Sequence, residues 1–221
     1  MTNSIFLAGA SRGVGNQVAR ILSTQNTPVL ALIRATTNPT ELQALNNLET
    51  VVGDALNLAD ITNAMTGKIS AIISTIGGMP QDDQRADFAG NKQLIDAAIK
   101  AKVSKFILVS SLGAGTTKDA IPAAAYASLA PVLAEKEQAE AYLIASGLNY
   151  VIIRPGGLKS EPATGNGVLT LETHVAGSIC RADVAALICK CLNSTMAEGK
   201  VLSAFDRNMT YGDAKYQEFI I

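Results

Sequence analysis

Short apolar runs alternate with helical patterns along most of the chain. The first run, Ser4–Ala8, is uninterrupted and is followed by Gly9, which is typical of a strand buried on both faces of a sheet. Apolar residues then recur at helical spacing from Val14 to Leu22, and a second apolar run covers Val29–Ile33. The pattern therefore predicts a strand, a helix and a parallel strand within roughly 30 residues, the usual size of a βαβ unit.

The same alternation continues through the middle of the chain. Further strands are predicted at Leu48–Val52, Ser70–Ile76, Lys105–Val109 and Asn149–Ile153. Helices are predicted at about 40–46, 59–65, 85–101 and 126–146, and Gly147 is predicted to end the last of these in the left-handed conformation. Strands that alternate with helices in this way predict an α/β fold with a Rossmann-type, doubly wound parallel sheet. We expect a single domain spanning residues 1–221.

Beyond the sixth predicted strand the pattern weakens. Glycine and proline become frequent from Pro155 onward, which predicts an irregular region at about 155–180 that covers the substrate. Asp183 is predicted to cap a last helix that runs through Leu192. Too few residues remain for a separate catalytic domain, so the active site is expected at the carboxyl edge of the sheet.

Composition excludes several classes of partner. The 221 residues carry 18 Lys+Arg and 19 Asp+Glu, a formal net charge of -1, so nucleic acid is not an expected partner. Charged or polar residues interrupt every apolar run before the roughly 18 to 20 residues that span a membrane. No secretory signal is visible at the N-terminus. These features favour a cytoplasmic protein without a membrane segment.

The three cysteines favour neither a disulfide framework nor a metal site. Cys180, Cys189 and Cys191 are odd in number and lie together near the C-terminus. Cys189 and Cys191 fall on a predicted helix, where residues two apart point about 200° away from each other. We therefore expect buried or half-buried thiols and no bound metal.

A glycine-rich segment joins the first predicted strand to the first predicted helix. Such a turn directs backbone N–H groups and a helix N-terminus at a phosphate, and glycine lets a pyrophosphate approach closely. A purely structural turn is the alternative. The sequence predicts that this segment binds the pyrophosphate of a dinucleotide through Gly9, Ser11, Arg12, Gly13, Val14 and Gly15.

The end of the second strand favours NADP over NAD. An NAD site commonly has Asp or Glu there to bind the ribose hydroxyls, but this strand ends Leu32-Ile33-Arg34. Arg34 and Arg12 would instead bind a 2′-phosphate from two sides, with two solvated surface arginines as the alternative.

Other strand ends supply further candidate cofactor contacts. Asp54 would accept a hydrogen bond from the adenine amino group and Ala55 would flank the ring, but Asp54 could also be an ordinary turn or cap residue. Small residues at the end of the fourth strand would let the ribose and nicotinamide pass close to the backbone. We predict that Thr75, Ile76, Gly77, Pro155 and Gly156 contact this part of the cofactor.

Together these motifs resemble the atypical short-chain dehydrogenase/reductase superfamily, in particular its NmrA-like branch, to which flavin and biliverdin reductases belong. The resemblance covers nearly the whole chain and is most specific at 9–15, 51–54, 106–111, 146–155 and 179–185. The family usually has glycine at the position of Arg12. Arg12 in this context resembles an NADP-selecting arginine.

The resemblance implies a catalytic serine at Ser110 or Ser111 and a catalytic, ribose-binding lysine at Lys136, although Lys136 could be merely part of a solvated helix face. The superfamily tyrosine is replaced by Val132, and Gly157 stands where some biliverdin-type reductases carry a histidine. Proton delivery would then fall to Ser111, to solvent or to the substrate. His174 is expected to be structural or exposed.

The resemblance and the motifs lead to one preferred function and one alternative. The preferred function is an NADPH-dependent reductase of a planar conjugated acceptor, a flavin, a biliverdin-type tetrapyrrole or a quinone, because a delocalised product needs no strong protein acid. The alternative is a non-enzymatic NADP(H)-binding redox sensor or assembly factor. A monomer or weak homo-oligomer is expected in either case.

Overall fold

The apolar runs of the sequence become strands of one sheet in the computed structural model, which describes residues 3–77, 85–213 and 215–221. The strands are β1 (Ser4–Ala8), β2 (Val29–Ile33), β3 (Leu48–Val52), β4 (Ile69–Ser74), β5 (Lys105–Val109), β6 (Tyr150–Pro155), β7 (Gly157–Lys159), β8 (Gly167–Thr170), β9 (Ser178–Cys180) and β10 (Lys200–Asp206). The helices are α1 (Gly13–Thr24), α2 (Thr40–Gln43), α3 (Leu58–Ala64), α4 (Ala89–Ala101), α5 (Ala123–Ala145) and α6 (Arg181–Asn193), with a 3-10 helix at Gly115–Ala120.

The main sheet has the strand order β3-β2-β1-β4-β5-β6-β10-β8. Its strands run parallel except β8, which pairs antiparallel with β10 at one edge. Ala8 of β1 pairs with Leu32 of β2 and with Ser74 of β4, so these strands end at the same edge. The order reverses at β1, and the crevice beside such a reversal is where open α/β sheets bind ligands.

Helices cover both faces of the sheet. Adjacent strand residues point to opposite faces, so Leu7 packs under α1 and α6, whereas Phe6 packs under α3, α4 and α5. Both residues are fully buried. The predicted α/β, Rossmann-type, doubly wound sheet in one domain is therefore confirmed, with two strands that were not predicted, the parallel β10 and the antiparallel β8.

Most predicted boundaries agree with the structure. The predicted bounds of β1, β2, β3 and β5 match, and Gly147 follows α5 with φ +76° as predicted. The fourth strand ends at Ser74 instead of residue 76, because the chain turns where Thr75 bonds back to β1. Helix α5 begins at Ala123, earlier than predicted, directly after Pro122.

The region after β6 differs from the prediction of an irregular segment. It contains three short strands, of which β7 pairs with β9 and β8 pairs with β10. Asp183 is not the cap of α6, whose N-cap is Cys180. Its carboxylate instead accepts hydrogen bonds from the backbone N–H groups of Thr164 and Gly165, each at 2.9 Å, and so anchors this region to α6.

None of the helices in the described ranges combines the length and the apolar character that crossing a bilayer requires.

Candidate active site

A cleft of about 540 Å³ opens at the carboxyl ends of β1, β2, β3 and β4. Its position matches the carboxyl edge of the sheet, where the sequence predicts the active site. Several lining residues were not predicted from the sequence, among them Thr36, Thr37, Val52 and Asp60. Most of the residues predicted for the dinucleotide do line it, namely Gly9, Ser11, Arg12, Arg34, Asp54, Ala55, Thr75, Ile76 and Gly77.

The glycine-rich turn packs too tightly for larger residues. Gly9 has φ +91°, and a Cβ there would lie 2.5 Å from Thr75 Oγ1. A Cβ at Gly15 would overlap the carbonyl oxygen of Gly9, so Gly15 allows α1 to approach β1. Val14 is buried behind the turn and belongs to the core. The glycines therefore have a packing role whether or not a phosphate is bound.

The N-terminus of α1 is left open to an anion. No side chain caps this helix, and its first turn has no acidic residue. Its N-cap residue is Arg12, in extended conformation with φ -157°. Because uncapped N–H groups and the helix dipole attract negative charge, the turn fits a pyrophosphate.

Two arginines line the cleft. Arg12 follows the first turn and Arg34 follows β2, and both side chains are exposed. At the end of β3, Asp54 Oδ1 accepts a hydrogen bond from the N–H of Leu56 at 2.9 Å. Asp54 is therefore a turn residue that also lines the cleft, so the two interpretations of it are compatible.

Thr75 fastens the end of β4 to the glycine-rich turn. Its hydroxyl donates a shared hydrogen bond to the carbonyl oxygens of Ala8, at 3.1 Å, and of Gly9, at 3.2 Å. Its N–H also donates to the carbonyl oxygen of Ala8 at 2.9 Å. The Thr75 hydroxyl is thus used within the protein, and Thr75 forms a wall of the cleft.

Lys136 reaches the end of β4 from α5. Its Nζ lies 3.0 Å from Oδ1 of Asp87, whose side chain is fully buried. A Cβ at Gly77, which has φ +139°, would lie 3.1 Å from this Nζ. The structure therefore brings Lys136 beside Gly77 and shows a carboxylate partner, Asp87, that no sequence pattern indicated.

A buried ion pair fixes α5 against β6. Arg154 donates from Nε to Glu140 Oε1 at 3.0 Å and from Nη2 to Glu140 Oε2 at 2.6 Å. Both side chains are less than 10% exposed, at 7% and 4%. Glu140 lies one helical turn after Lys136, so this ion pair also fixes the position of Lys136 relative to the end of β6 at Pro155.

The two candidate catalytic serines follow β5 and differ in environment. Ser111 is half-buried, and its hydroxyl donates to the carbonyl oxygen of Leu112 at 2.9 Å. Ser110 is 6% exposed, and among the described residues its hydroxyl has no hydrogen-bond partner. A buried hydroxyl without a partner is costly, so the two serines differ in that only the Ser110 hydroxyl is both buried and unpaired among the described residues.

The chain after β6 places a tyrosine near the position of the absent histidine. A Cβ at Gly157 would lie 2.7 Å from Tyr211 Oη, which is 2.9 Å from Ser178 Oγ. Gly156 lies against the backbone of Gly177, which leaves no space for a side chain there. Nothing in the sequence pattern indicated Tyr211, because its segment reaches Gly157 only through the tertiary fold.

His174 lies away from the residues described above. Its side chain is exposed, with Nε2 at 3.1 Å from the carbonyl oxygen of Lys215 and Nδ1 at 3.5 Å from Glu172. This agrees with the prediction that it is structural or exposed.

The cysteines are buried thiols, as predicted. Burial raises the pKa of Cys189 and of Cys191 to about 12, and burial is also the largest cause that raises the pKa of Cys180. No group of His, Cys, Asp and Glu that could hold a metal ion occurs in the described ranges.

The described site therefore has two parts. The cleft contains the residues predicted for the adenosine, half of those predicted for the pyrophosphate, and Thr75, Ile76 and Gly77, whereas Gly13, Val14 and Gly15 do not line it. The other predicted residues do not line the cleft and lie farther along the same edge of the sheet. Two follow β5, two end or follow β6, and one projects from α5: Ser110, Ser111, Pro155, Gly156 and Lys136. Gly77 belongs to the cleft and contacts Lys136, so it joins the two parts.

Comparison with known proteins agrees with this geometry. A family model described as NAD(P)H-binding matches residues 9–195. The solved structure of ChuY, an anaerobillin reductase from Escherichia coli O157:H7, is 32% identical, with a TM-score of 0.84, and the match covers 96% of this chain and 100% of ChuY.

Two curated relatives differ in length. YhfK of Bacillus subtilis, an uncharacterized sugar epimerase, is 32% identical over 97% of each chain. Protein TIC 62, chloroplastic, of Arabidopsis thaliana is 34% identical over 90% of this chain, which spans 35% of the length of TIC 62. The chain therefore belongs to the NAD(P)H-binding family and has a Rossmann-type fold.

Proposed function

We propose that the protein is an NADPH-dependent reductase that delivers a hydride to a planar conjugated acceptor, namely a flavin, a biliverdin-type tetrapyrrole or a quinone. The observation that carries this proposal is a cleft lined by most of the residues predicted for a dinucleotide, together with the lack of an acid at two expected positions, Val132 and Gly157. Similarity to ChuY, an anaerobillin reductase, supports the acceptor class.

The predicted residues along this edge of the sheet would contact NADPH in sequence, from its adenosine end to its nicotinamide end. The uncapped start of α1 would hold the pyrophosphate, and Arg12 and Arg34 would hold the 2′-phosphate. Asp54 and Ala55 would lie beside the adenine. The remaining contacts, to the nicotinamide ribose and ring, would come from Thr75, Ile76, Gly77, Lys136, Pro155 and Gly156.

NADPH would supply the hydride, and the protein would supply position and orientation. Lys136 is held by Asp87 at 3.0 Å and would hold the ribose hydroxyls. The half-buried Ser111 hydroxyl would donate to the acceptor or to the nicotinamide amide, with the buried Ser110 hydroxyl beside it. A conjugated acceptor spreads the negative charge that it gains, so water or a single hydroxyl suffices to complete the reduction.

We also propose that the region at about 155–180 covers the acceptor. Gly157, Leu158 and Lys159 of β7 are all exposed next to the end of β6, although the segment is fastened to α6 through Asp183 and Arg181. An exposed but anchored strand is suited to forming one wall of an acceptor site.

Steady-state assays with flavin, quinone and bilin acceptors would test the proposal. We expect NADPH oxidation that depends on the acceptor, with a higher kcat/KM for NADPH than for NADH. Simple ketones would be poor substrates because they need a strong proton donor. The absence of turnover with every conjugated acceptor would contradict the reductase proposal.

Val132 at the tyrosine position also favours a second function, a redox sensor or assembly factor that binds NADP(H) without turnover. Tight NADPH binding with no reduction of any conjugated acceptor would support it. A cytoplasmic location, small-molecule acceptors and a monomer or weak homo-oligomer remain predictions under either function.

A further inference from the structure

We propose that Arg181, the first residue of α6, binds the cofactor pyrophosphate and links it to the segment that follows Gly157. Arg181 lies in the 179–185 stretch that resembles the short-chain dehydrogenase/reductase superfamily, but neither that resemblance nor the glycine-rich motif assigns it a role. The inference rests on the proposed dinucleotide site, although its test requires no acceptor and no turnover.

A second cleft places Arg181 across from the glycine-rich turn. This cleft has a volume of about 580 Å³ and shares Ser11 and Arg12 with the first cleft. One wall is the start of α1, and the other is formed by Ser160, Glu161 and Arg181. The two clefts thus meet at the turn where the pyrophosphate would bind.

Arg181 is the side chain that faces Gly13 most closely. A Cβ at Gly13 would lie 3.8 Å from Arg181 Nε and 3.9 Å from Arg181 Cδ, and apart from Arg12, Val14 and the backbone of α1 no other heavy atom of the described residues lies within 4 Å. The space above Gly13 is therefore open except for this cation. A phosphate received by the N-terminus of α1 would come between the backbone N–H groups and the guanidinium.

The Arg181 guanidinium binds the protein through Nη1 and has other N–H donors that remain unused among the described residues. Its Nη1 donates to the carbonyl oxygen of Leu158 at 3.2 Å and to Ser160 Oγ at 2.8 Å. In the described part of the chain, Nε and Nη2 make no hydrogen bond to the protein. Because the side chain is already fixed, binding a phosphate would cost little further conformational entropy.

Two carboxylates that line the second cleft contact residues other than Arg181. Glu41 Oε2 lies 3.3 Å from Arg20 Nη2, and Glu161 Oε2 lies 4.0 Å from Cys180 Sγ. Within the residues that the structure describes, neither carboxylate forms an ion pair with Arg181. Arg181 therefore keeps its positive charge available for a phosphate.

The contacts of Arg181 connect two parts of the site. Leu158 and Ser160 follow Gly156 and Gly157, which lie at the nicotinamide end of the proposed site. A pyrophosphate bound to Arg181 would reinforce the contacts that fix β7. Cofactor binding would then order one wall of the acceptor site.

Calorimetric titration of NADPH and of NADH would test this role. We expect Arg181→Ala to weaken both cofactors by a similar factor, roughly 10- to 100-fold for a charge-assisted phosphate contact, with their affinity ratio unchanged. Arg181→Lys keeps the positive charge but not the forked N–H donors of the guanidinium, so it is expected to lose less cofactor affinity than Arg181→Ala. Arg207→Ala removes an exposed arginine paired with Glu218 and serves as the control.

Two further measurements separate binding from structural support. Ser160→Ala removes a contact that holds Arg181 and is expected to change NADPH affinity by less than about threefold. NADPH protection of the β7 amides from hydrogen exchange is expected to fall in Arg181→Ala. Unchanged affinities in both Arg181 variants, or a loss confined to NADPH, would overturn the proposal. Failure to reduce acceptors would bear on the reductase proposal alone.

Discussion

Lys136 Nζ lies 3.0 Å from Asp87 Oδ1, and this pair joins α5 to the start of α4 beside Gly77. The Asp87 side chain is fully buried and that of Lys136 is 15% exposed. Neither Asp87 carboxylate oxygen makes a hydrogen bond to the described residues, so the nearby ammonium is the main compensation for its charge.

Lys136→Met is expected to destabilise the protein by about 3 kcal/mol, because it leaves a buried carboxylate without its cation. It is also expected to raise the KM for NADPH, since Lys136 would no longer hold the ribose. Urea unfolding and steady-state kinetics would measure the two effects.

The double variant Asp87→Asn with Lys136→Met is the matched control for stability. Removal of both charges is expected to restore much of the lost free energy of unfolding, but not the KM for NADPH. If the double variant is no more stable than Lys136→Met, the ion pair is not what stabilises this contact.

Arg34→Ala is expected to reduce the preference for NADPH over NADH by roughly 10- to 100-fold, the value of one charge-assisted phosphate contact. NADH affinity is expected to stay within about twofold of the wild-type value. Titration of both cofactors into Arg34→Ala and into Arg207→Ala would check this. Equal affinities of the wild type for NADPH and NADH would refute the assignment.

Gly15→Ala is expected to lower the free energy of unfolding by about 3 kcal/mol and to abolish NADPH binding, because its Cβ would overlap backbone atoms of Gly9. Gly67→Ala is a suitable comparison, since nothing lies within 4 Å of a Cβ there and its φ of +74° adds strain alone. That strain costs about 1 kcal/mol, and NADPH binding is expected to be retained.

Ser111→Ala is expected to lower kcat for a flavin or quinone by about tenfold or less, near 1.4 kcal/mol, because a delocalised product gains little from one donor. Ser110→Ala is expected to cause little loss of stability, since its hydroxyl has no partner among the described residues. A loss of three orders of magnitude in Ser111→Ala would identify an essential acid.

The buried thiols are expected to make stability fall in alkaline solution. Burial raises the pKa of Cys189 and of Cys191 to about 12, against an ordinary value of 9.0. Between these values the unfolded chain loses protons that the folded chain retains, so each thiol lowers the free energy of unfolding by about 1.4 kcal/mol per pH unit. Below pH 9 this contribution is fully present.

Urea unfolding of the wild type and of Cys189→Ala at pH 8 and pH 10.5 would measure this effect. The alanine variant is expected to lose less stability over that interval, because one titrating thiol has been removed. Equal losses would show that Cys189 ionises in the folded protein as it does in the unfolded chain.

The sequence by itself determined the order of strands and helices as far as β6 and the place of the dinucleotide turn. Local patterns suffice there, because β1, α1 and β2 are consecutive and each buries a continuous or periodic set of apolar residues. The carboxyl edge of a parallel sheet follows from that order, so the sequence alone predicts that Gly9, Arg12, Arg34 and Thr75 lie near one another.

Only the tertiary structure decided which side chains meet across segments distant in sequence. The contacts of Lys136 with Asp87, of Gly157 with Tyr211 and of Arg181 with the glycine-rich turn each join residues from separate elements. The short strands β7, β8 and β9 likewise form through distant partners, and strands of three or four residues carry too little periodicity to be recognised. Such contacts depend on how the helices pack on the sheet, which no local pattern specifies.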